Sequence, residues 1–430
     1  MSFIHKSSLE CAKSELDLLH TPETQAMILN GKWVDYHPLH TIEGDVPIEF
    51  NVAGSEEEYI DLSETYLHLE VKIVDDKGAD VQDTAKIAPA NYFLHALFNQ
   101  VEISLNNKLV TGSVTGYAYR SIIEALLNHG EDAKKTHLQS ALFHKDTASK
   151  MDSITGDNAG FVKRKSYMKK TIEMYGRIHA DIFFQNRYLL NNVNLQIKMV
   201  RNRSSFCLIG EGDFKINILQ AILFVRKAKI NPQVMLAHAS ILEKSSAKYP
   251  IRRVETKVLT ITKDLSAYSL DNITTGPLPS RIVFGLVESD AYNGVIGKNP
   301  FNFQNFNLSR IAFSVDGEII PYKPIECDYG SNKYVRAYHS LFTGVDKSVT
   351  TNGNFIERDE YPNGYCLYAF DLTPDLCNGE HFNLIKSGNL RINLDFKSAL
   401  KTPVNGILYL EYQNIIEINK NRQILFDYTI

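Results

Sequence analysis

The residue types that could do chemistry are present, but their spacing argues against a catalytic site. Cys366, Asp371 and His381 supply a thiol, a carboxylate and an imidazole in one stretch. A nucleophilic site would need the imidazole within hydrogen-bond reach of the thiol. Cys366, however, sits inside the apolar run Tyr365-Cys-Leu-Tyr-Ala-Phe370, whose alternation aims it at a core. Asp371 opens a turn ahead of Pro374. The expectation is a core cysteine flanked by turn residues. No G-x-S-x-G, H-E-x-x-H or phosphate-binding loop occurs. The sequence therefore predicts no catalytic, cofactor-binding or metal-binding residues.

His129, His137 and His144 lie near acidic residues, but their spacing shows no converging third and fourth metal ligand, so they read as solvated loop histidines. Cys11, Cys207, Cys327, Cys366 and Cys377 are odd in number and include no C-x-x-C pair. That pattern fits reduced thiols better than a disulfide framework or a zinc site. The one basic cluster is Lys163-Arg-Lys-Ser-Tyr-Met-Lys-Lys170. Lys163, Arg164, Lys165, Lys169 and Lys170 read first as a solvated loop before a strand, and second as a nuclear-import signal or a weak contact with a genome or with a neighbouring assembly unit. Asn202-Arg-Ser, Asn272-Ile-Thr and Asn307-Leu-Ser match the glycosylation sequon. The opening residues have no apolar h-region, which predicts no secretory signal and makes these sequons incidental.

The elements that would position these residues follow from composition. The 430 residues suit two β-sandwiches of about 200 residues each, and 44% hydrophobic residues can fill both cores. A net charge of −4 argues against a surface given over to nucleic acid. No stretch approaches ~18 consecutive apolar residues, so no membrane span is expected. Aromatic and β-branched runs broken by Asn, Asp, Gly and Pro predict many short strands. The expected strands are 66–73, 101–105, 177–184, 194–200, 216–225, 254–262, 281–287, 310–315, 365–370, 389–396 and 406–412. Helices are expected at 117–128 and 131–142, as decorations of loops. The fold class is all-β and antiparallel, with short helices inserted.

The two halves repeat one another. Ile103, Leu105, Leu109 and Val110 bracket Asn106-Asn107 as Phe313, Val315, Ile319 and Ile320 bracket Asp316-Gly317, at a constant offset of 210. Both read as a strand, a tight two-residue turn and a returning strand. Tyr119-Arg-Ser-Ile122 answers Tyr338-His-Ser-Leu341, and Asn194-Leu-Gln-Ile-Lys-Met199 answers Asn389-Leu-Arg-Ile-Asn-Leu394. Asn217-Ile-Leu219 answers Gly406-Ile-Leu408 more weakly. Four pieces in one order point to duplication. The expected organisation is an N-terminal arm at 1–44, a first jelly roll at 45–235 and a second at 236–430. The arm is expected to order only on assembly.

Several segments carry a family resemblance. Asn302-Phe-Gln-Asn-Phe-Asn-Leu308, Val315-Asp-Gly-Glu-Ile-Ile-Pro321 and Tyr334-Val-Arg-Ala-Tyr338 resemble the hexon-like major capsid proteins of adintoviruses and Polinton (Maverick) elements. So do Tyr361-Pro-Asn-Gly-Tyr365, Phe370-Asp-Leu-Thr-Pro-Asp375 and Ile415-Ile-Glu-Ile-Asn419. In the first half Asp61-Leu-Ser-Glu-Thr-Tyr66 and Leu97–Leu109 look similar to the same family. The resemblance implies a double jelly roll that forms homotrimeric, pseudo-hexameric capsomers and tiles an icosahedral shell. It further implies neighbouring capsomers, a single jelly-roll penton and minor capsid proteins as partners, a place in the virion, and no enzymatic activity. Two alternatives remain open: a glycan-processing enzyme on the same scaffold, and a domesticated, non-viral copy of a capsid gene.

Overall fold

A computed structural model of the chain describes residues 4–11, 13–111, 115–376 and 381–426, with Tyr322 described by its backbone only. Sixteen of the strands among the described residues build the four main sheets. In the first half these are β1 (Ile28–Tyr36), β2 (Ile48–Val52), β3 (Glu58–Asp75), β4 (Phe98–Leu105), β5 (Lys108–Leu109), β6 (Ile172–Arg177), β7 (Leu195–Arg201) and β8 (Phe214–Ile230). In the second half they are β9 (Ala247–Ile261), β10 (Ala267–Pro277), β11 (Arg281–Glu288), β12 (Leu308–Val315), β13 (Glu318–Glu326), β14 (Leu367–Asp371), β15 (Ser387–Phe396) and β16 (Val404–Ile418). The first half forms sheets β1-β8-β3-β6 and β2-β7-β4-β5, and the second forms β9-β16-β11-β14 and β10-β15-β12-β13. Adding eight to each label converts one half into the other. Every ladder among these strands is antiparallel. Eight strands divided in this order between two sheets make a jelly roll, and the chain contains two.

Alternation in the sequence explains the burial. In β7 (LQIKMVR), Leu195, Ile197 and Met199 are buried while Gln196 and Lys198 are half-buried, since successive side chains leave a strand on opposite faces. Phe313 of β12 meets Phe370 of β14 edge-on with ring centroids 5.0 Å apart, so the two sheets of the second sandwich share one core.

All four repeated sequence pieces fall on corresponding elements. Asn106 and Asn107 have φ of +44° and +65° in the β4–β5 turn, and Asp316 and Gly317 have +49° and +94° in the β12–β13 turn. Both turns thus use the left-handed region that Asn, Asp and Gly tolerate. Tyr119–Ile122 lies on helix α1 (Tyr117–Asn128), and Tyr338–Leu341 lies on α4 (Val335–Thr343), each between corresponding strands. Two further helices are α2 (Ala159–Ser166) and α3 (Pro232–Leu242).

Four expectations are corrected. Residues 28–36, assigned to the arm, form edge strand β1, which pairs with β8 from Ile28↔Ile230 to Tyr36↔Leu223. Their side chains are mostly exposed, so no apolar period marks the strand; its ladder bonds hold it. The strand expected over 177–184 is the end of β6 followed by a 3₁₀ turn at Asp181–Phe184. The helix expected over 131–142 breaks at Thr136 into Glu131–Lys135 and a 3₁₀ segment. Finally, α1 is no loop decoration, since every residue in it except Asn128 is buried.

Candidate functional site

Helix α1 carries its charges into the joint between the sandwiches. Arg120 donates through Nε to Glu124 Oε1 at 2.9 Å, one turn along the helix, and its other arm reaches Asp181 Oδ1 at 2.7 Å. Glu124 Oε2 lies 2.5 Å from His179 Nδ1, whose Nε2 lies 2.9 Å from the Tyr92 hydroxyl. The second sandwich joins in. Tyr409 donates to Glu124 Oε1 at 3.2 Å, and the Val254 amide donates to Asp181 Oδ1 at 3.2 Å. Burial opposes ionisation of Glu124, but the Arg120 guanidinium and His179 outweigh it and hold the carboxyl at about 2. Burial instead pushes Asp181 up, against Arg120. A carboxyl near 2 is ionised throughout the neutral range and is poorly matched to proton transfer there. The arrangement is a charged weld whose members satisfy one another.

A second weld lies around Arg164, and it corrects the reading of the basic run. Arg164 sits on α2 with its side chain fully buried. It donates to Pro89 O, His144 O and Asp146 Oδ1, each at 2.7 Å. Asn299 of the second sandwich donates to Asp146 Oδ2 at 3.0 Å, and Tyr365 donates to Asp146 O at 2.6 Å. Arg164 is therefore unavailable to a genome. Lys163, Lys169 and Lys170 are exposed, Lys165 is half-buried, and Lys169 pairs with Asp83 at 3.0 Å. Further bonds cross the joint from Lys134 to Asn354 O and from Lys145 to Phe355 O and Glu360.

The remaining chemical residues stay apart. Cys366 is buried beside the hydroxyls of Tyr329 and Tyr368, Asp371 accepts from Thr373, and His381 pairs with Asp375 at 2.6 Å. Cys377 lies outside the described residues. His144 is buried against Tyr167, correcting its reading as a solvated histidine, while His129 is half-buried with its ring 5.9 Å from that of His137. No cluster of three or more potential metal ligands occurs among the described residues.

The outer surface carries apolar side chains that the chain itself does not cover. Residues 4–11 and 13–27 are exposed throughout, including Leu9, Leu16, Leu18 and Leu19. Trp33, on edge strand β1, leans on Tyr66 and keeps 47% of its surface exposed. Helix α3 (PQVMLAHASIL) buries only Leu242, and Leu236 and Ile241 face outward. The boundary expected between 235 and 236 falls inside this helix. The Asn231-Pro232 pair, an N-cap followed by proline at N1, was the available signal for this helix. The joint was likewise signalled by Arg120 and Glu124 standing four apart within an apolar helix.

These features can be set against known proteins. No family model matches the chain. A Caenorhabditis elegans protein described only as uncharacterized is 27% identical over 424 residues, 94% of this chain and 99% of its own length. A chain from the cryo-EM structure of the Sputnik virophage superposes with a TM-score of 0.68 at 12% identity, covering 100% of this chain and 94% of that one. The Faustovirus major capsid protein gives a TM-score of 0.62 at 11% identity, covering 96% and 93%. The chain has the double jelly-roll fold of viral major capsid proteins. At these identities the likeness is one of architecture, and it extends over all or nearly all of the chain. None of the chain's helices is long and apolar enough to cross a membrane, among the described residues.

Proposed function

We propose that this chain is a hexon-like major capsid protein that trimerises into pseudo-hexameric capsomers and tiles an icosahedral shell. The observation that carries the reading is the exact correspondence of strand order between the halves, over a chain that matches capsid proteins end to end. Two similar sandwiches per chain and three chains give six similar walls, so a three-fold object can sit among six neighbours. The welded joint serves that role by fixing the angle between the walls. On this reading the chain has no enzymatic activity and resides in the virion. Its partners are neighbouring capsomers, a single jelly-roll penton and minor capsid proteins. Any genome contact falls to Lys163, Lys165, Lys169 and Lys170. The glycan-processing alternative needs a free pair of carboxyl groups, whereas Glu124 and Asp181 both bind the Arg120 guanidinium.

The Caenorhabditis elegans relative favours a more specific origin. Near-complete mutual coverage with a protein of an animal supports a genome-resident element of the Polinton or adintovirus kind, or a domesticated copy of one. Light scattering on the purified chain should give a trimer, and negative-stain microscopy should show three-fold rings or shells. A monomer throughout a concentration series to millimolar levels overturns the capsomer reading.

A further inference from the structure

The repeat makes each half a template for contacts the other half lacks. In the first sandwich, the loop joining β6 to β7 and the Asn106-Asn107 turn form a seat, and the second sandwich occupies it. Tyr249 of β9 donates to Tyr188 O at 3.1 Å and accepts from the Leu190 amide at 3.1 Å. Arg187 reaches Lys248 O at 2.5 Å. Arg422, in the segment following β16, donates to Asn191 O at 2.8 Å and to its Oδ1 at 2.6 Å. Asn106 in turn donates to Arg422 O at 2.9 Å. The seat thus takes two things: the start of the edge strand β9 and the segment after β16.

Adding eight to the strand labels locates the matching seat on the second sandwich. It is formed by residues 372–376 and 381–386, between β14 and β15, together with the Asp316-Gly317 turn. There a groove of about 690 Å³ is lined by Leu278, Ile320, Leu376, Leu384, Ile385 and Tyr412 among others. Leu384 and Ile385 are 89% and 57% exposed, so the chain's own described residues leave this seat uncovered. The matching occupants are the start of β1 and the segment after β8, which is α3. Asn231, the N-cap of α3, binds Met27 O through its amide at 2.8 Å, holding both occupants side by side. His238 stacks on Tyr59 and lies 2.9 Å from its hydroxyl, fixing one face of α3 to the first sandwich. That leaves Met27, Leu29, Leu236 and Ile241 outward and more than half exposed.

We infer that the groove beside Leu384 and Ile385 is the docking seat for α3 and the start of β1 of a second copy of this chain. The inference rests on the trimer reading and adds its contact. Exposed apolar side chains stand on both surfaces, with Asp316, Glu318, Asp371 and Lys386 also lining the groove, whereas the seat within the chain is filled by Arg422 and Tyr249. The two sockets therefore differ in chemistry, which discourages a sandwich from docking in the wrong one.

The test uses the full chain with Cys11→Ser and Cys377→Ser. Leu236→Cys in one preparation and Leu384→Cys in another are mixed, dissociated, reassociated and oxidised. A disulfide-linked dimer of unlike chains is expected from the mixture, and none from either variant alone. In parallel, Leu384→Asp should raise the trimer dissociation constant by about tenfold or more, at unchanged monomer circular dichroism. Trp33 emission, from the chain's single tryptophan, should shift to the blue on association in the parent and not in this variant. A parent that trimerises while the cysteine pair fails to link, or while Leu384→Asp trimerises normally, overturns the seat and leaves the trimer standing. A parent that stays monomeric overturns the trimer reading itself.

Discussion

Arg164 offers the sharpest test of the joint, because its neighbours in sequence are its controls. Its guanidinium is fully buried and serves three acceptors at 2.7 Å. Arg164→Ala leaves the Asp146 carboxylate buried with the neutral Asn299 amide as its side-chain donor, a change that costs roughly 3–5 kcal/mol when one partner of a buried pair is removed. The two abandoned carbonyls, Pro89 O and His144 O, push the figure toward the upper end, at about 1–3 kcal/mol for each buried unsatisfied group. Arg164→Lys keeps the charge but cannot present a planar fork to three acceptors, and should recover less than half of the loss. Lys163→Ala and Lys170→Ala remove exposed cations and should move stability by no more than about 0.5 kcal/mol. Urea unfolding followed by circular dichroism reads all four. An Arg164→Ala midpoint within error of Lys163→Ala would show that the cluster is solvated and the weld absent. An Arg164→Ala/Asp146→Ala double variant as unstable as the sum of its single variants would show that the pair does not interact.

Three further outcomes are expected. Gly317→Val and Asn107→Val should each cost about 1–3 kcal/mol through left-handed backbone strain, since a Cβ at 317 meets nothing within 4 Å, while Gly156→Val, equally open but without positive φ, should cost little; thermal melts compare the three. Removing residues 1–22 should leave melting unchanged, whereas removing 1–36 takes away β1 and should lower the melting temperature and solubility by baring the β8 edge. Burial, ahead of the charges of Arg164 and Lys163, pulls His144 down to about 4, and burial does the same for His129; the unfolded chain binds these protons near 6.5, so stability should fall as pH drops from about 6.5 toward 4, by at most about 1.4 kcal/mol per pH unit per histidine, and His144→Gln should flatten the melting-temperature profile.

The sequence made the central strands legible because their two faces differ. The runs at 194–200 and 389–396 alternate cleanly, and both became β7 and β15. The hairpin turns were legible because Asn106-Asn107 and Asp316-Gly317 meet a backbone demand that few residues satisfy. What escaped were elements held by something other than an apolar period. Strand β1 depends on ladder bonds along the β8 edge, and its residues alternate too weakly to announce it. Helix α3 has its apolar residues spread around its circumference, so it reads as a featureless spacer until the cap at Asn231 is noticed. The joint was only partly legible: Arg120 and Glu124 stand out on α1, but His179 and Asp181 after β6, and Val254 and Tyr409 of the second sandwich, come from segments that nothing in the sequence links to them. Arg164 was misread for a related reason: a charge run says nothing about which member turns inward.

The joint also explains why the duplicated halves had to diverge. Two identical sandwiches would offer identical sockets, and a chain could then close on itself or on a neighbour with equal ease, producing open chains in place of a closed ring. Here the contact within the chain is polar, buried at Arg120 and Arg164 and half-buried at Arg422. Such contacts gain little net stability over apolar packing, but they tolerate almost no misalignment, since any slip strands a charge. The uncovered groove by Leu384 is a different kind of surface: open, with exposed Leu376, Leu384 and Ile385 on it, and with no arginine in its lining. It can bind and release at modest cost while subunits sort themselves. A rigid contact first and an adaptable one afterwards is the order in which a chain must act if it is to fold alone and assemble later.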